Sequence, residues 1–212
     1  MVLSYESIWP IGAELVVSLP LFPLRSVLFD GGHLPLQVFE PRYLDMVSRS
    51  MRREAPFGVV LIRSGTDARI SRDWRQPDLF DIGTEAHVID FNQLSNGNLG
   101  IIVKGGRKFR ILSTESQLDH LLCGEVDYIP SESSSIIGEE HAHLVELLKD
   151  LVQHPGVEKL GLTVDLRDTH SVSCILSELL PIEPEIKQQL LELDEAIERL
   201  DELNRIVNKI RG

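Results

Sequence analysis

A chain of 212 residues, 42% hydrophobic and 25% charged, can bury a sizeable core without a metal or disulfide staple. Its net charge is −12: residues 1–130 carry 13 Lys+Arg against 16 Asp+Glu (−3), and residues 131–212 carry 8 against 17 (−9), an acidity that repels phosphate backbones. Two cysteines in apolar runs, Cys123 and Cys174, exclude a disulfide framework and a four-sulfur zinc site, and read as buried free thiols in a reducing compartment.

Met1 to Glu14 lack the basic opening of a signal peptide, and no apolar run approaches the ~20 residues of a membrane span, so the expected location is the cytoplasm. Up to Pro130, short apolar runs alternate with proline and glycine. Leu15 to Val17, Leu19 to Leu24 and Leu34 to Phe39 are β-prone stretches interrupted by Pro20, Pro23, Gly31-Gly32 and Pro35, which marks them as edge strands, bulges or extended arms. Pro41 suits a first helical position, and Tyr43, Met46, Val47 and Ser50-Met51 share the face of the helix that follows. Phe57 to Ile62 is a continuous apolar strand. Arg49, Arg52, Arg53, Arg63, Arg69, Arg72 and Arg75 cluster in sequence, and a solvated face explains them better than a nucleic-acid site.

His87 to Phe91 and Leu99 to Val103 flank Asn96-Gly97, a dipeptide suited to a tight hairpin with two positive φ angles. Phe109 to Leu112 and Leu121 to Ile129 add strands. At least six short strands and one helix predict a small, partly closed barrel.

Ser131 to Ser135 is a polar hinge with N-cap hydroxyls. A helix near Glu139 to Gln153 turns Leu144, Leu147, Leu148 and Leu151 to one side and ends at Pro155-Gly156. A second, near Thr169 to Leu180, has Asp168 or Thr169 as cap and Val172, Ile175, Leu176 and Leu179 inward. A last helix from about Pro184 to Ile210 would span roughly 40 Å. Its seam of Ile186, Leu190, Leu193, Ile197, Leu200, Asn204 and Val207 is expected to pack on the two preceding helices, with a coiled coil as the alternative. The fold class is therefore α+β, with a β-rich unit over 1–130 and a helical bundle over 131–212.

Catalytic motifs are missing. Gly105-Gly106-Arg107-Lys108 lacks the spacing and closing hydroxyl of a phosphate loop, and neither a Gly-x-Ser-x-Gly elbow nor His-Glu-x-x-His occurs. His141 and His143 stand about 200° apart on a helix. His87, His120, His154 and His170 are scattered, so no metal, cofactor or enzymatic activity is expected.

Four segments carry a resemblance. Residues Leu19 to Tyr43, read together with Leu79 to Ala86, Gly105 to Ile111 and Lys187 to Asp194, closely resemble, in the same order, the signatures of the Lon substrate-binding domain family, which also includes a domain of cereblon and short bacterial proteins. Asp30-Gly31-Gly32 departs from the Pro-Gly usual in that family. The resemblance implies a PUA-like pseudo-barrel with one inserted helix, followed by a helical bundle with a long last helix. It also implies a non-catalytic module that binds peptides or unfolded polypeptide segments and works among other proteolysis components, the Lon ATPase and Ser-Lys peptidase lying beyond the region matched.

Within these motifs Phe22, Phe29, Phe39 and Tyr43 are the candidate ligand contacts, although core packing is the simpler reading of all four. Glu40 and Arg42 flank Pro41 and are placed to tie the helix start to a strand, while Gly83 and Gly106 suit turns or bulges. The expected site is the groove where barrel meets helices, entered by strand addition along backbone that the prolines leave unpaired. Three alternatives stay open on the residues: an RNA- or nucleotide-binding PUA-like protein using the arginines, a hydrolase with an unrecognised site, and an assembly subunit using the C-terminal helix.

Overall fold

Five strands close into a ring in the computed structural model, which describes residues 16–66 and 76–211. They belong to the order β1 (Val17–Leu24), β2 (His33–Val38), α1 (Pro41–Arg53), β3 (Phe57–Ser64), β4 (Asp78–Leu79), β5 (Ile82–Gln93), β6 (Leu99–Ser116) and β7 (Leu122–Tyr128). The path β1-β7-β6-β5-β3 is antiparallel at each step, and a parallel pairing of β1 with β3, Leu21 opposite Gly58 through Leu24 opposite Leu61, completes the circuit. Closure leaves fewer free sheet edges than an open sheet would. β2 lies outside the ring on the first half of β6, and β4 is a short addition to β3.

The longest strand differs from expectation. Leu99 to Val103 and Phe109 to Leu112 are parts of one continuous strand, β6, and Gly105-Gly106 lies inside it. The glycines bend the strand without ending it. Between Thr84 and Ala86 of β5 the register on β6 runs from Lys108 to Gly105, a bulge that contains Gly106. A Cβ on Gly105 would stand 2.0 Å from the carbonyl oxygen of Phe29, so only glycine lets the β1–β2 turn approach. Gly83 is in no turn: it lies within β5, where a Cβ would stand 2.7 Å from the Phe109 ring. The hairpin joining β5 to β6 forms at the expected place, but Gly97 takes a positive φ of 84° and Asn96 does not. The Gly97 N–H donates to the Leu94 carbonyl at 2.9 Å, and Leu94 N–H to that of Asn98 at 2.9 Å, which makes a longer loop than a two-residue turn.

Helices follow: α2 (Ala142–Gln153), reached through a 3-10 turn at Glu139–His141, the single turn α3 (Pro155–Glu158), α4 (Thr169–Leu179), α5 (Pro184–Glu192) and α6 (Ala196–Arg211). Asp168 caps α4, its carboxylate accepting from the Ser171 amide at 2.9 Å and from the Ser134 hydroxyl. Asp168→Ala is expected to cost about 1 kcal/mol, read as a lower urea midpoint at unchanged m-value.

The last helix is not continuous. It breaks at 193–195, because side chains from elsewhere supply partners for the carbonyls that the break exposes. The Lys108 ammonium donates to the Leu191 and Leu193 oxygens at 3.2 and 2.7 Å, and Arg199 donates to those of Leu190 and Leu193 at 2.8 and 3.2 Å. Cations at the C-terminal end of α5 also suit its dipole. The expected seam is altered too: Ile197 is exposed, while Arg199, Leu200 and Leu203 are buried. Asn204 accepts from His143 of α2 at 3.0 Å, and His141 contacts Asp201 at 2.9 Å, so this face packs within the chain.

The largest apolar cluster joins both parts. Val27, Phe29, Leu61 and Ile82 from the strand region pack with Leu144, Leu148, Ile175, Leu176 and Leu200 from the helices. A second cluster, including Phe22, Tyr43, Met46, Val47 and Phe57, lies between α1 and the barrel.

Candidate functional site

The groove between barrel and helices is narrow and filled with charge. Its recess of about 160 Å³ is lined by Asp30, Lys108, Glu132, Asp168 and His170, among others. The Glu132 carboxylate, 2% exposed, sits at the centre. It accepts from Arg199 at 2.5 and 2.8 Å, is paired with Lys108 at 2.6 Å and meets His170 Nδ1 at 3.0 Å. His170 Nε2 reaches Asp30 at 2.9 Å. Burial pushes the Glu132 carboxyl up, but hydrogen bonds from His170 and Arg199 outweigh it and hold the group well below the usual carboxylate range. His170 is pushed up to about 12, by Asp30 first, with Cys174 and Glu132 adding to it. An imidazolium fixed between two carboxylates is no proton acceptor near neutral pH, and the neighbouring Cys174 is 3% exposed. This network joins barrel to helices.

A larger opening of about 490 Å³ lies where β1 and β3 part. Continued backwards, their parallel ladder would bring Pro20 and then Leu19 beside Phe57 and Pro56. Pro20 and Pro56 have no N–H to donate, so the ladder begins only at Leu21 and Gly58. The resulting cleft has Val17 to Pro20 on one wall and Ala55 to Phe57 on the other. The outer edge of residues 17–20 has no strand partner among the described residues, while the inner edge pairs with β7. Met46, Phe57 and Leu121 form an apolar floor.

The rim is cationic. Arg49 and Arg53 project from α1, and Arg107 from β6. Arg107 is engaged already: it donates to Glu85 at 3.2 Å and lies 3.8 Å from the centre of the Tyr128 ring. Hydrogen bonding to Glu85 raises its pKa, while burial and Glu85 push the Tyr128 hydroxyl up to about 12. Cys123 lines the cleft with its thiol pushed up by burial, which makes it a poor nucleophile.

The four aromatic candidates are not brought together. Phe22 and Tyr43 stack at 4.2 Å, both buried, and Phe22 lies 6.1 Å from Phe57, so this pair backs the cleft floor without lining the cleft. Phe29 is fully buried in the cluster shared with the helices, and Phe39, 60% exposed, follows the last residue of β2. Arg42 pairs with Glu40 at 3.0 Å and donates to the His120 carbonyl at 2.9 Å, which ties the start of α1 to the β6–β7 turn. Of the seven arginines, Arg49 and Arg53 face the cleft, while Arg63 meets Asp78 and Asp81 at 3.7 and 3.8 Å beyond it. Arg69, Arg72 and Arg75 lie outside the described residues. Sequence reasoning missed Met46, Phe57 and Leu121 as cleft residues, since each reads as ordinary core. Pro20 and Pro56 carried the available signal, but their pairing depends on a register that sequence does not state.

Among the described residues, no group of three His, Cys, Asp or Glu side chains is placed to hold a metal ion, and no helix is long and apolar enough to cross a membrane.

A small barrel braced by helices, with an open apolar cleft and a charged, hydrogen-bonded junction, places the chain among α+β binding domains. It belongs to the ATP-dependent protease La (LON) substrate-binding domain family, whose model matches residues 18–209. Among solved structures it is similar to a Lon N-terminal domain protein from Xanthomonas campestris, with 32% identity, a TM-score of 0.72, and coverage of 90% of this chain and 98% of that one. The N-terminal domain of Mycobacterium avium complex Lon protease, 17% identical with a TM-score of 0.55, shares the fold. Curated relatives include the Lon proteases of Cytophaga hutchinsonii, 25% identical over 199 residues, and Anaeromyxobacter dehalogenans, 27% identical over 220 residues. These matches cover 90% and 93% of this chain but 24% of each relative, so the chain spans about a quarter of their length.

Proposed function

We propose that this protein is a non-catalytic recognition module that holds extended, unfolded polypeptide segments in the cleft between β1 and β3, in the cytoplasm and in the service of proteolysis. One observation carries the reading: two strands part at Pro20 and Pro56 and leave an apolar cleft beside a strand edge that has no partner among the described residues. A free edge offers main-chain pairing to any sequence, and a pocket beside it selects side chains, the combination that strand addition uses. Membership of a substrate-binding family supports the same reading. The fixed charges at the junction and the raised Cys123 thiol give no support to a hydrolase.

Filling the cleft is the test. Ser18 and Ala55 are exposed and stand on opposite walls. Ser18→Trp and Ala55→Trp should each weaken binding of a fluorescein-labelled, unstructured apolar peptide at least about tenfold, a change of about 1.4 kcal/mol. The thermal midpoint should stay near that of the parent. Unchanged affinity in both folded variants would remove the cleft from the account.

A further inference from the structure

We infer that the cleft selects polypeptide segments in which two acidic residues flank one apolar residue, an acid–apolar–acid pattern read by Arg49 and Arg53. The inference rests on the proposed polypeptide-binding role and adds the class of segment preferred.

Arg49 and Arg53 are both exposed and both on the cleft rim. Among the described residues neither is ion-paired, unlike Arg107, which is committed to Glu85, and Arg52, which bonds back to Ser48. They stand four positions apart on α1, about 6 Å along the helix axis. In an extended segment, residues i and i+2 project to the same side and lie about 6.7 Å apart. Two carboxylates at alternate positions therefore match the two guanidinium groups. The residue between them turns the other way, toward the apolar lining that Phe57 and Leu121 contribute.

Charge around the cleft sharpens the choice. Glu115 and Asp119, which flank the cleft residue Gln117 in sequence, oppose the effect of Arg49 on the Cys123 thiol. Carboxylates of a bound segment are thus drawn to the α1 wall and repelled from the other, which fixes how the segment lies. The net charge of −12 disfavours acidic segments over most of the remaining surface, so the contrast between rim and surroundings adds selectivity.

Four labelled peptides of equal length, with Gly-Ser flanks, test this on the full chain by fluorescence anisotropy at low salt. Their centres are Glu-Leu-Glu, Gln-Leu-Gln, Glu-Glu-Leu and Lys-Leu-Lys. The expected result is Glu-Leu-Glu binding about tenfold tighter than Gln-Leu-Gln and tighter than Glu-Glu-Leu, with the advantage shrinking at high salt. In Arg49→Glu/Arg53→Glu the preference should pass to Lys-Leu-Lys; Arg49→Gln/Arg53→Gln, a milder change on the same exposed face, should abolish it. Equal affinity for Glu-Leu-Glu and Gln-Leu-Gln overturns charge selection and leaves the cleft reading standing. Equal affinity for Glu-Leu-Glu and Glu-Glu-Leu overturns the spacing. Displacement of Glu-Leu-Glu by single-stranded RNA of comparable affinity overturns the polypeptide as occupant. Failure of all four, and of a longer apolar unfolded peptide, overturns both the inference and the proposed function.

Discussion

Replacing Glu132 by Gln should lower the unfolding free energy by about 3–5 kcal/mol, measured by urea denaturation near pH 6. The carboxylate is 2% exposed and compensates Lys108, Arg199 and His170 together. Arg199 is fully buried, and Glu132 is its salt-bridge partner among the described residues. An amide can still accept hydrogen bonds, but it leaves Lys108, Arg199 and His170 facing one another, with Asp30 and Asp168 beside His170 as anions. Removing one member of a buried charge cluster costs far more than the cluster contributes relative to apolar packing. The loss should fall on the joint between barrel and helices, since Lys108 is in β6, His170 in α4 and Arg199 in α6.

The same joint sets the pH dependence. His170 has a folded pKa of about 12 against 6.5 unfolded, so its contribution is complete below about 6.5 and is lost as pH rises toward 12. Glu132 is depressed: its contribution is present above about 4.5 and is lost as pH falls through its folded value. Burial pushes Glu178 up to about 7, against the Phe29 amide and the Lys187 charge, so stability linked to it fades between about 4.5 and 7. Stability should therefore be greatest on the acidic side of neutrality and decline as pH rises, through Glu178 between about 4.5 and 7 and through His170 from about 6.5 toward 12. His170→Gln should flatten that decline; an unchanged slope would mean that His170 is not held as the cation.

Phe109→Ala should cost about 3–5 kcal/mol, because its ring fills the barrel interior and is fully buried. The sequence prepares for this ring with glycines. A Cβ on Gly58 would lie 2.6 Å from the ring tip, and one on Gly83 would lie 2.7 Å from it. Gly58→Ala alone should therefore destabilise by about 1–3 kcal/mol through overpacking. In the Phe109→Ala background the added methyl enters vacated space, so the double variant should be more stable than the sum of the singles by at least about 0.5 kcal/mol. Strict additivity would show that Gly58 is not there to admit the ring.

The two textures of the chain were legible because hydrophobic period is a local property. Alternating runs with prolines gave strands, and spacings of three and four gave helices. Asp168 was readable as a cap, and Pro41 as a helix start, from a few neighbouring residues. What stayed hidden depends on distant partners. Residues 184–210 carry a helical period throughout, and the break at 193–195 is held by Lys108, far away in β6. Gly105-Gly106 looks like a strand end until the Phe29 carbonyl is seen against it. The site was legible only in part. Of the aromatic series of the signature, Phe22, Phe29 and Tyr43 are buried, the first and last behind the cleft floor, and Phe39 is exposed. The cleft itself arises from a register that brings Pro20 beside Phe57 and Pro56 beside Leu19, one step apart on facing strands, and residue types alone do not set a register.

The most direct test of the recognition role is a backbone amide NMR titration of the full chain with an unlabelled, unstructured apolar polypeptide. The account predicts saturable shift changes at Val17 to Leu19, Met46 to Phe57 and Gln117 to Cys123, with the junction around Glu132 and His170 undisturbed. Changes confined to the α5–α6 groove around Ile186 and Leu193, or none at saturating polypeptide, would contradict it.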